Sequence, residues 1–438
     1  MRKHLSPAQL LVVGFAVTIL VGAALLTMPW ATATGQAGDP LTALFTATSA
    51  TCVTGLIVVD TGSHWSVAGQ AVILLLIQIG GLGIMTISAL FALLLGKRIS
   101  LRGRLLIQES LTQLSPAGMV RLVRNIAVVT LLIEGAGAFL LALRFSRDMP
   151  VGTSVYFGVF HSVSAFCNAG FDLFGDSLVR FAADLPVLGV MSALIILGGL
   201  GFYVLLDIVQ ARHQRLSLHS RVVLRTTLLL LLLGTVLIYG LEMHNPATLG
   251  GLSPVGKVLS AWFHAVTPRT AGYNSVPTGQ LLSSTLFITM ILMFIGASPG
   301  STGGGIKTTT FTTVLANVHS IITGKTEVEM FERRLGRENL DRALAVTGTA
   351  VAIVTLVTLG LLISDGLPLL DTAFEAISAF GTVGLSTGIT PELSAAGRLL
   401  VILAMFAGRV GPLTVAMAVA QRRRVTPLRY PEDKVMVG

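Results

Sequence analysis

Eight apolar runs, at roughly 7–30, 68–95, 123–143, 186–210, 223–241, 283–319, 343–363 and 397–420, fill most of this chain of 438 residues. At 1.5 Å of rise per residue, about twenty such residues cross the roughly 30 Å of hydrocarbon in a bilayer as a helix. The runs are continuous rather than alternating, which excludes a β-barrel. With 53% hydrophobic and 12% charged residues, the chain reads as an all-α polytopic membrane protein of eight transmembrane helices. The basic start at Arg2 and Lys3 lacks a following small-residue cleavage site, so the first run is expected to be a retained span. Two cysteines, Cys52 and Cys167, cannot build a disulfide framework, and their positions suit packing better than a metal. A formal charge of +9 raises the question of nucleic acid, but the bases are scattered between spans rather than gathered on one face, so nucleic acid is excluded.

Between the paired spans lie shorter runs, Pro40 to Thr51, Thr153 to Phe166, Val255 to Val266 and Leu369 to Phe380, too short to cross and expected to be re-entrant helices. Irregular backbone after such a helix is tolerated at membrane depth only beside protein or water, so these segments imply a lined cavity. Most Lys and Arg fall in loops on one side (Arg2 and Lys3, 97–124, 212–225, 325–342 and 422–434), which marks that side and both termini as cytoplasmic. The opposite loops hold few bases and many acids, among them Asp39, Asp60, Asp172, Asp176, Asp371 and Glu375, an arrangement that draws cations.

The four short segments align with one another. Each ends in a small-residue stretch with one glycine in register: Gly55, Gly170, Gly272 and Gly384, separated by 115, 102 and 112 residues. The spacing divides the chain into repeats at 1–106, 107–216, 217–335 and 336–438, the last including the C-terminal tail, with fourfold pseudosymmetry about a central pore. A dehydrated cation needs oxygens held radially, and four extended strands supply them as backbone carbonyls. Glycine lets the strands crowd the axis, and each short helix points its dipole at the pore. The expected filter is Val53, Thr54 and Gly55; Asn168, Ala169 and Gly170; Thr270, Ala271 and Gly272; and Thr382, Val383 and Gly384. Sequence physics alone specifies a monovalent cation.

These four lines, reading Thr-Cys-Val-Thr-Gly-Leu56, Phe-Cys-Asn-Ala-Gly-Phe171, Pro-Arg-Thr-Ala-Gly-Tyr273 and Phe-Gly-Thr-Val-Gly-Leu385, resemble the degenerate Thr-Val-Gly filters of the Trk/Ktr/HKT family of potassium transporters. Eight spans in about 440 residues look most like the Ktr-type ion-translocating membrane subunit. The resemblance implies potassium uptake across the plasma (inner) membrane, with K+ at the filter and Na+ as an activator. It implies a homodimer with two pores whose contact includes the tail Tyr430 to Gly438, and a cytosolic RCK-type ring carrying ATP or ADP. In the plant relatives a serine at the first-repeat glycine goes with sodium selectivity, and Gly55 here favours potassium. The alternative is a sodium-coupled or sodium-selective carrier with alternating access, although such carriers show inverted repeats and midplane acids.

The sixth run is interrupted by Gly296-Ala-Ser-Pro-Gly-Ser-Thr-Gly-Gly-Gly-Ile-Lys307, within a loop expected at 296–308. Glycine costs about 1 kcal/mol and proline about 3 kcal/mol in a helix interior, so no helix survives it. A phosphate-binding loop is excluded, because Ile306 separates Gly305 from Lys307 and an apolar span precedes. The segment, with Gly296, Ser298, Pro299, Gly300, Gly303, Gly304, Gly305 and Lys307, is expected to plug the path below the filter and resembles the family's intramembrane gate loop. Arg409 lies inside the last span, where a cation is a functional residue by default. It either repels the ion from the axis or donates hydrogen bonds to the loop's carbonyls. Gly80-Gly81-Leu-Gly83 and Gly198-Gly199-Leu-Gly201 read as helix-packing motifs. Glu134 and Asp207 read as salt-bridge partners or, in the alternative, as a coupling-ion or proton site, and His161 and His264 as hydrogen-bonded anchors opening their short helices. The basic segment from Lys325 to Arg342 offers a docking face for protein or anionic lipid. An intramembrane enzyme would need paired Asp, Ser with His, or His-Glu-x-x-His at depth, and none occurs.

Overall fold

The chain was analysed as a computed structural model, which describes residues 7–83, 86, 119–210, 216–411 and 414. Its helices are α1 (Pro7–Leu26), α2 (Pro40–Cys52), α3 (Val67–Leu82), α4 (Met119–Phe145), α5 (Val151–Phe166), α6 (Leu185–Leu200) and α7 (Phe202–Gln210). They continue with α8 (Leu218–Glu242), α9 (Pro254–Val266), α10 (Ser283–Phe294), α11 (Thr308–Ile322), α12 (Arg337–Asp365), α13 (Leu369–Gly381) and α14 (Ala395–Val410). The sheet among the described residues is one hairpin, β1 (Glu329–Met330) against β2 (Arg333–Arg334).

Many starts are written locally. Asp39 accepts from Thr42 N at 2.8 Å before Pro40, and Ser253 accepts from Gly256 N at 3.1 Å before Pro254, so proline occupies the first turn where no amide is needed. Ser66, Asp184, Ser217 and Ser394 cap α3, α6, α8 and α14 in the same way.

Four helices among the described residues, α1, α4, α8 and α12, are long and apolar enough to cross a membrane. They carry exposed apolar side chains, such as Leu131 at 68% and Ile363 at 78%, outside a core built by the short helices, whose Phe45, Phe166, Phe263 and Phe374 are fully buried. That inversion of the soluble pattern is the mark of a chain solvated by lipid. The fold is that of an all-α polytopic membrane protein.

The second helix of each pair departs from the expected spans 68–95, 186–210, 283–319 and 397–420. Each stops partway, α3 at Leu82, α6 at Leu200, α10 at Phe294 and α14 at Val410. Gly83, Gly201 and Gly411 follow three of these ends with φ of 84°, 93° and 95°, a left-handed backbone that ends a helix without the penalty of a Cβ. At Gly201 the chain turns by 98° into α7, so 186–210 is two helices rather than one continuous helix. The continuation after Gly83 and Gly411 lies outside the described residues, as do the terminal bases and the tail.

The first glycine of these motifs has a different task. A Cβ on Gly80, Gly198 or Gly408 would run into the carbonyl oxygen of Thr51, Phe166 or Phe380 respectively. Each of those carbonyls lies two residues before Val53, Asn168 or Thr382, so the close packing seats each second helix directly behind a candidate filter strand. The motifs therefore pack, as expected, and their last glycine also breaks the helix.

Candidate functional site

The four glycines in register meet. A Cβ built on Gly55 would lie 2.9 Å from Gly170 Cα, one on Gly170 3.1 Å from Gly272 Cα, one on Gly272 3.2 Å from Gly384 Cα, and one on Gly384 3.0 Å from Gly55 Cα. The contacts close a cycle in chain order, with no room for a side chain at any of the four. Contrary to expectation the strands are not extended but alternate in hand. Val53, Asn168, Thr270 and Thr382 have φ of 58°, 59°, 74° and 50°, and Gly55, Gly170, Gly272 and Gly384 have 94°, 71°, 76° and 93°, whereas the residues between them have negative φ. An extended strand points successive groups to opposite faces; alternating handedness lets successive carbonyls face one side.

A non-glycine residue at positive φ is costly and persists only where its surroundings enforce it. Here the ends of the short helices α2, α5 and α13 do so. The amides of Thr54, Ala169 and Val383 return to the carbonyls of Ser49, Ser164 and Ser378 at 2.8, 2.7 and 2.9 Å. Ser49 Oγ accepts from Gly55 N at 3.0 Å and Ser378 Oγ from Gly384 N at 3.1 Å, while Ser164 Oγ donates to Phe171 O at 2.9 Å. The serine recurs six residues before each of these glycines; the third repeat has no serine there and instead sends Tyr273 OH to Phe171 O at 2.9 Å.

Residues 295–307 cross beneath this ring between α10 and α11, with their ends paired at Ile295 and Ile306. The loop leans on the break in the second repeat: Ser298 N donates to Gly199 O (3.0 Å), Thr302 N to Gly198 O (3.2 Å), Thr302 Oγ1 to Phe166 O (3.1 Å), and Phe202 N back to Gly300 O (3.0 Å). Gly303 and Gly304 sit so close under the hydroxyls of Thr270 and Thr382 that neither could carry a Cβ. Lys307 Nζ donates to Gly303 O at 2.7 Å and Gly304 O at 3.4 Å. Arg409 holds Thr302 O of the loop with one nitrogen and Gly80 O with another, and reaches Gly81 O at 3.3 Å. Of its two expected roles, hydrogen bonding to loop carbonyls is the one seen. Its place after Gly408 matches Gly81 after Gly80 and Gly199 after Gly198, so one repeat carries a guanidinium where two carry nothing.

Other expectations need correction. His161 and His264 lie deep in α5 and α9 rather than opening them. His161 Nδ1 lies 2.7 Å from Phe157 O and its Nε2 accepts from Leu173 N at 3.3 Å, anchoring the strand that leaves Gly170. Glu134 and Asp207 form no salt bridge among the described residues: Gln78 Nε2 donates to Glu134 at 3.2 Å, and Asp207 accepts from Ser217 N and Oγ at 3.1 and 2.8 Å. Glu375 is no loop acid but a fully buried side chain of α13, accepting from Thr390 Oγ1 at 2.5 Å. Sequence reasoning also missed Arg269, 93% buried beside Thr270; the signal was a base inside an otherwise apolar and small-residue stretch.

On the side expected to face outward, Asp172 follows Gly170 by two residues and accepts from Phe174 N and Gly175 N at 2.9 and 2.8 Å. Burial pushes its carboxyl up to about 6, the two amides oppose the shift, and the charges of Asp60 and Asp176 add to it. Because the folded chain binds this proton more tightly than the unfolded one, the group costs stability as pH rises from about 4 through 6. In the working range it gains its charge on going from pH 5 to 7.5. Uptake at low cation concentration is therefore expected to weaken about twofold when outside pH drops across that interval, a change that Asp172→Asn should abolish. Initial uptake rates at several outside pH values check this, and an unchanged pH profile in the variant would remove Asp172 from the entry path.

Residues 10–424 match the TrkH family, described as cation transport protein. The chain belongs to that family. It is 43% identical to the Ktr system potassium uptake protein B of Bacillus subtilis over 99% of this chain and 97% of that one. It is 42% identical to the protein of the same name from Vibrio alginolyticus (98% and 94% covered) and 41% identical to the potassium/sodium uptake protein NtpJ of Enterococcus hirae (100% and 98%). Its fold is that of the crystal structure of the potassium transporter TrkH from Vibrio parahaemolyticus, at a TM-score of 0.76 and 16% identity, covering 97% of this chain and 86% of that one. These relatives are transporters, not enzymes, and the Trk/Ktr resemblance of the sequence agrees with them.

Proposed function

We propose that this chain takes potassium into the cell through a carbonyl-lined filter formed by residues 53–55, 168–170, 270–272 and 382–384. The cyclic contact of Gly55, Gly170, Gly272 and Gly384 carries the reading, since at that level, where no Cβ fits, the backbone alone can offer oxygens to the axis. The loop around Gly296, Ser298, Pro299, Gly300, Gly303, Gly304 and Gly305, tethered by Lys307 and Arg409, is its gate. Each of the four repeats, divided as at 1–106, 107–216, 217–335 and 336–438, supplies one strand.

The protein sits in the plasma membrane with both termini cytoplasmic, as a homodimer regulated by a cytosolic nucleotide-binding ring that carries ATP or ADP. That two relatives are protein B of a Ktr system supports a multi-part assembly. A second reading, sodium-coupled or sodium-selective transport with Na+ as activator or cargo, draws on the potassium/sodium name of the Enterococcus relative. The test is uptake of rubidium as potassium tracer and of sodium into proteoliposomes containing the chain alone. Potassium-favouring flux supports the filter; equal or sodium-favouring flux overturns it in favour of the second reading.

A further inference from the structure

Arg221 and Arg225 lie one turn apart at the start of α8, the helix that leaves the basic side of the protein and from Leu228 onward exposes Leu228, Leu229 and Leu232 at 56, 64 and 52%. Both guanidiniums rest on one ring, that of Phe331, with Cζ 5.7 and 4.4 Å from its centroid. Neither has a carboxylate partner among the described residues, and Arg221 Nε is buried with no hydrogen bond. The neighbouring bases are different: Arg334 pairs with Glu327 at 2.9 Å and Lys325 with Glu329 at 3.5 Å. Phe331 and Glu332 form the tip of the β1–β2 hairpin with φ of 50° and 63°, a turn that usually selects glycine or asparagine, so the hairpin commits its aromatic residue to this place against local preference.

We propose that the stacked arginines bind the phosphate of an anionic phospholipid of the inner leaflet. Stacking on an aromatic face fixes the guanidinium planes; Arg225 is exposed and can offer its N–H edge to a phosphate with paired hydrogen bonds, while half-buried Arg221 adds a second fixed positive charge beside it. The depth selects a lipid over a soluble phosphate, because the pair lies where α8 passes from basic loop to lipid-facing leucines, the level of the headgroups. Since Phe331 follows α11 in the chain, and Thr226 Oγ1 meets Thr312 Oγ1 in the first turns of α11 at 2.9 Å, a lipid held there also ties the hairpin that follows α11 to α8.

The experiment is native mass spectrometry of the full chain titrated with phosphatidylglycerol or phosphatidylcholine. The wild type is expected to retain phosphatidylglycerol, with the joint change Arg221→Gln and Arg225→Gln weakening it about tenfold and Phe331→Leu weakening it less. Joint Arg→Lys replacement keeps charge and stem and is expected to fall between, which separates a lost site from a lost fold. Equal binding of the two lipids by the wild type, or undiminished phosphatidylglycerol binding by the Gln pair, overturns the proposal. So does displacement of the lipid by excess inorganic phosphate, which would identify a soluble anion as the occupant. If a soluble acidic protein partner protects the arginines and lipid does not, the face is a protein dock and the lipid proposal fails.

Discussion

Gly55→Ser is expected to lower the ratio of potassium to sodium flux about tenfold and to cut potassium flux itself. At φ of 94° a side chain is strained wherever it points, by about 1–2 kcal/mol. The new Cβ would also lie 2.5 Å from Ala169 O and 2.9 Å from Gly170 Cα, and both contacts are backbone, so the second strand has to move. Selectivity depends on oxygens held at a radius that matches one dehydrated ion, and a differential loss of about 1.4 kcal/mol is a factor of ten. A ring pushed out of register no longer holds its oxygens rigidly at the radius that matches potassium, and the new hydroxyl can approach a smaller ion, so the ratio shifts toward sodium, the direction implied by the plant relatives that carry serine there. Paired rubidium and sodium uptake into proteoliposomes measures it. Gly55→Ala, which adds bulk without a hydroxyl, separates crowding from a new oxygen ligand. An unchanged ratio in both variants would place Gly55 off the conduction path.

How much of this was legible depends on range. The pore-helix starts are local, with Asp39-Pro40 and Ser253-Pro254 announcing themselves within four residues, and four glycines in register need only counting. The break at Gly201 was hidden because hydropathy runs straight across it; its cause is local, a left-handed glycine, but its consequence is that α7 turns to meet Gly300, about a hundred residues away. Strand handedness was misjudged because Val53 and Thr382 are β-branched residues whose own preference is extended, and only the surrounding hydrogen bonds overrule it. Glu375 was counted among outer acids because charge bookkeeping sees the side of the membrane and not burial. Arg409 was legible as a residue that matters, yet its partners Thr302 and Gly80 come from two other repeats and could not be read from its own.

Deleting Gly303 to Gly305 should raise cation flux about tenfold while leaving the potassium-to-sodium ratio unchanged. The two properties separate because the loop touches the ring only from below. Gly303 and Gly304 abut the hydroxyls of Thr270 and Thr382, whereas the three atoms nearest a Cβ built on any of the four glycines all belong to neighbouring strands of the ring. What holds the loop in place is a small set of bonds: Lys307 to Gly303 O and Gly304 O, Arg409 to Thr302 O, and the amides of Ser298 and Thr302 to the broken end of α6. Each is worth about 1 kcal/mol, more where charged, so under the proposed gate reading they supply a barrier of a few kcal/mol, and removal of the three glycines takes away both acceptors of Lys307. Arg409→Gln cuts one tether and is expected to raise flux by a smaller factor. Rubidium uptake with the deletion variant, in the absence of any cytosolic partner, decides it. A fall in flux with a folded protein would mean that the loop supports the filter rather than blocking it. A changed ion ratio would mean that Thr270 and Thr382 depend on those glycines to keep their left-handed backbone, and the filter would then extend one layer deeper than residues 53, 168, 270 and 382.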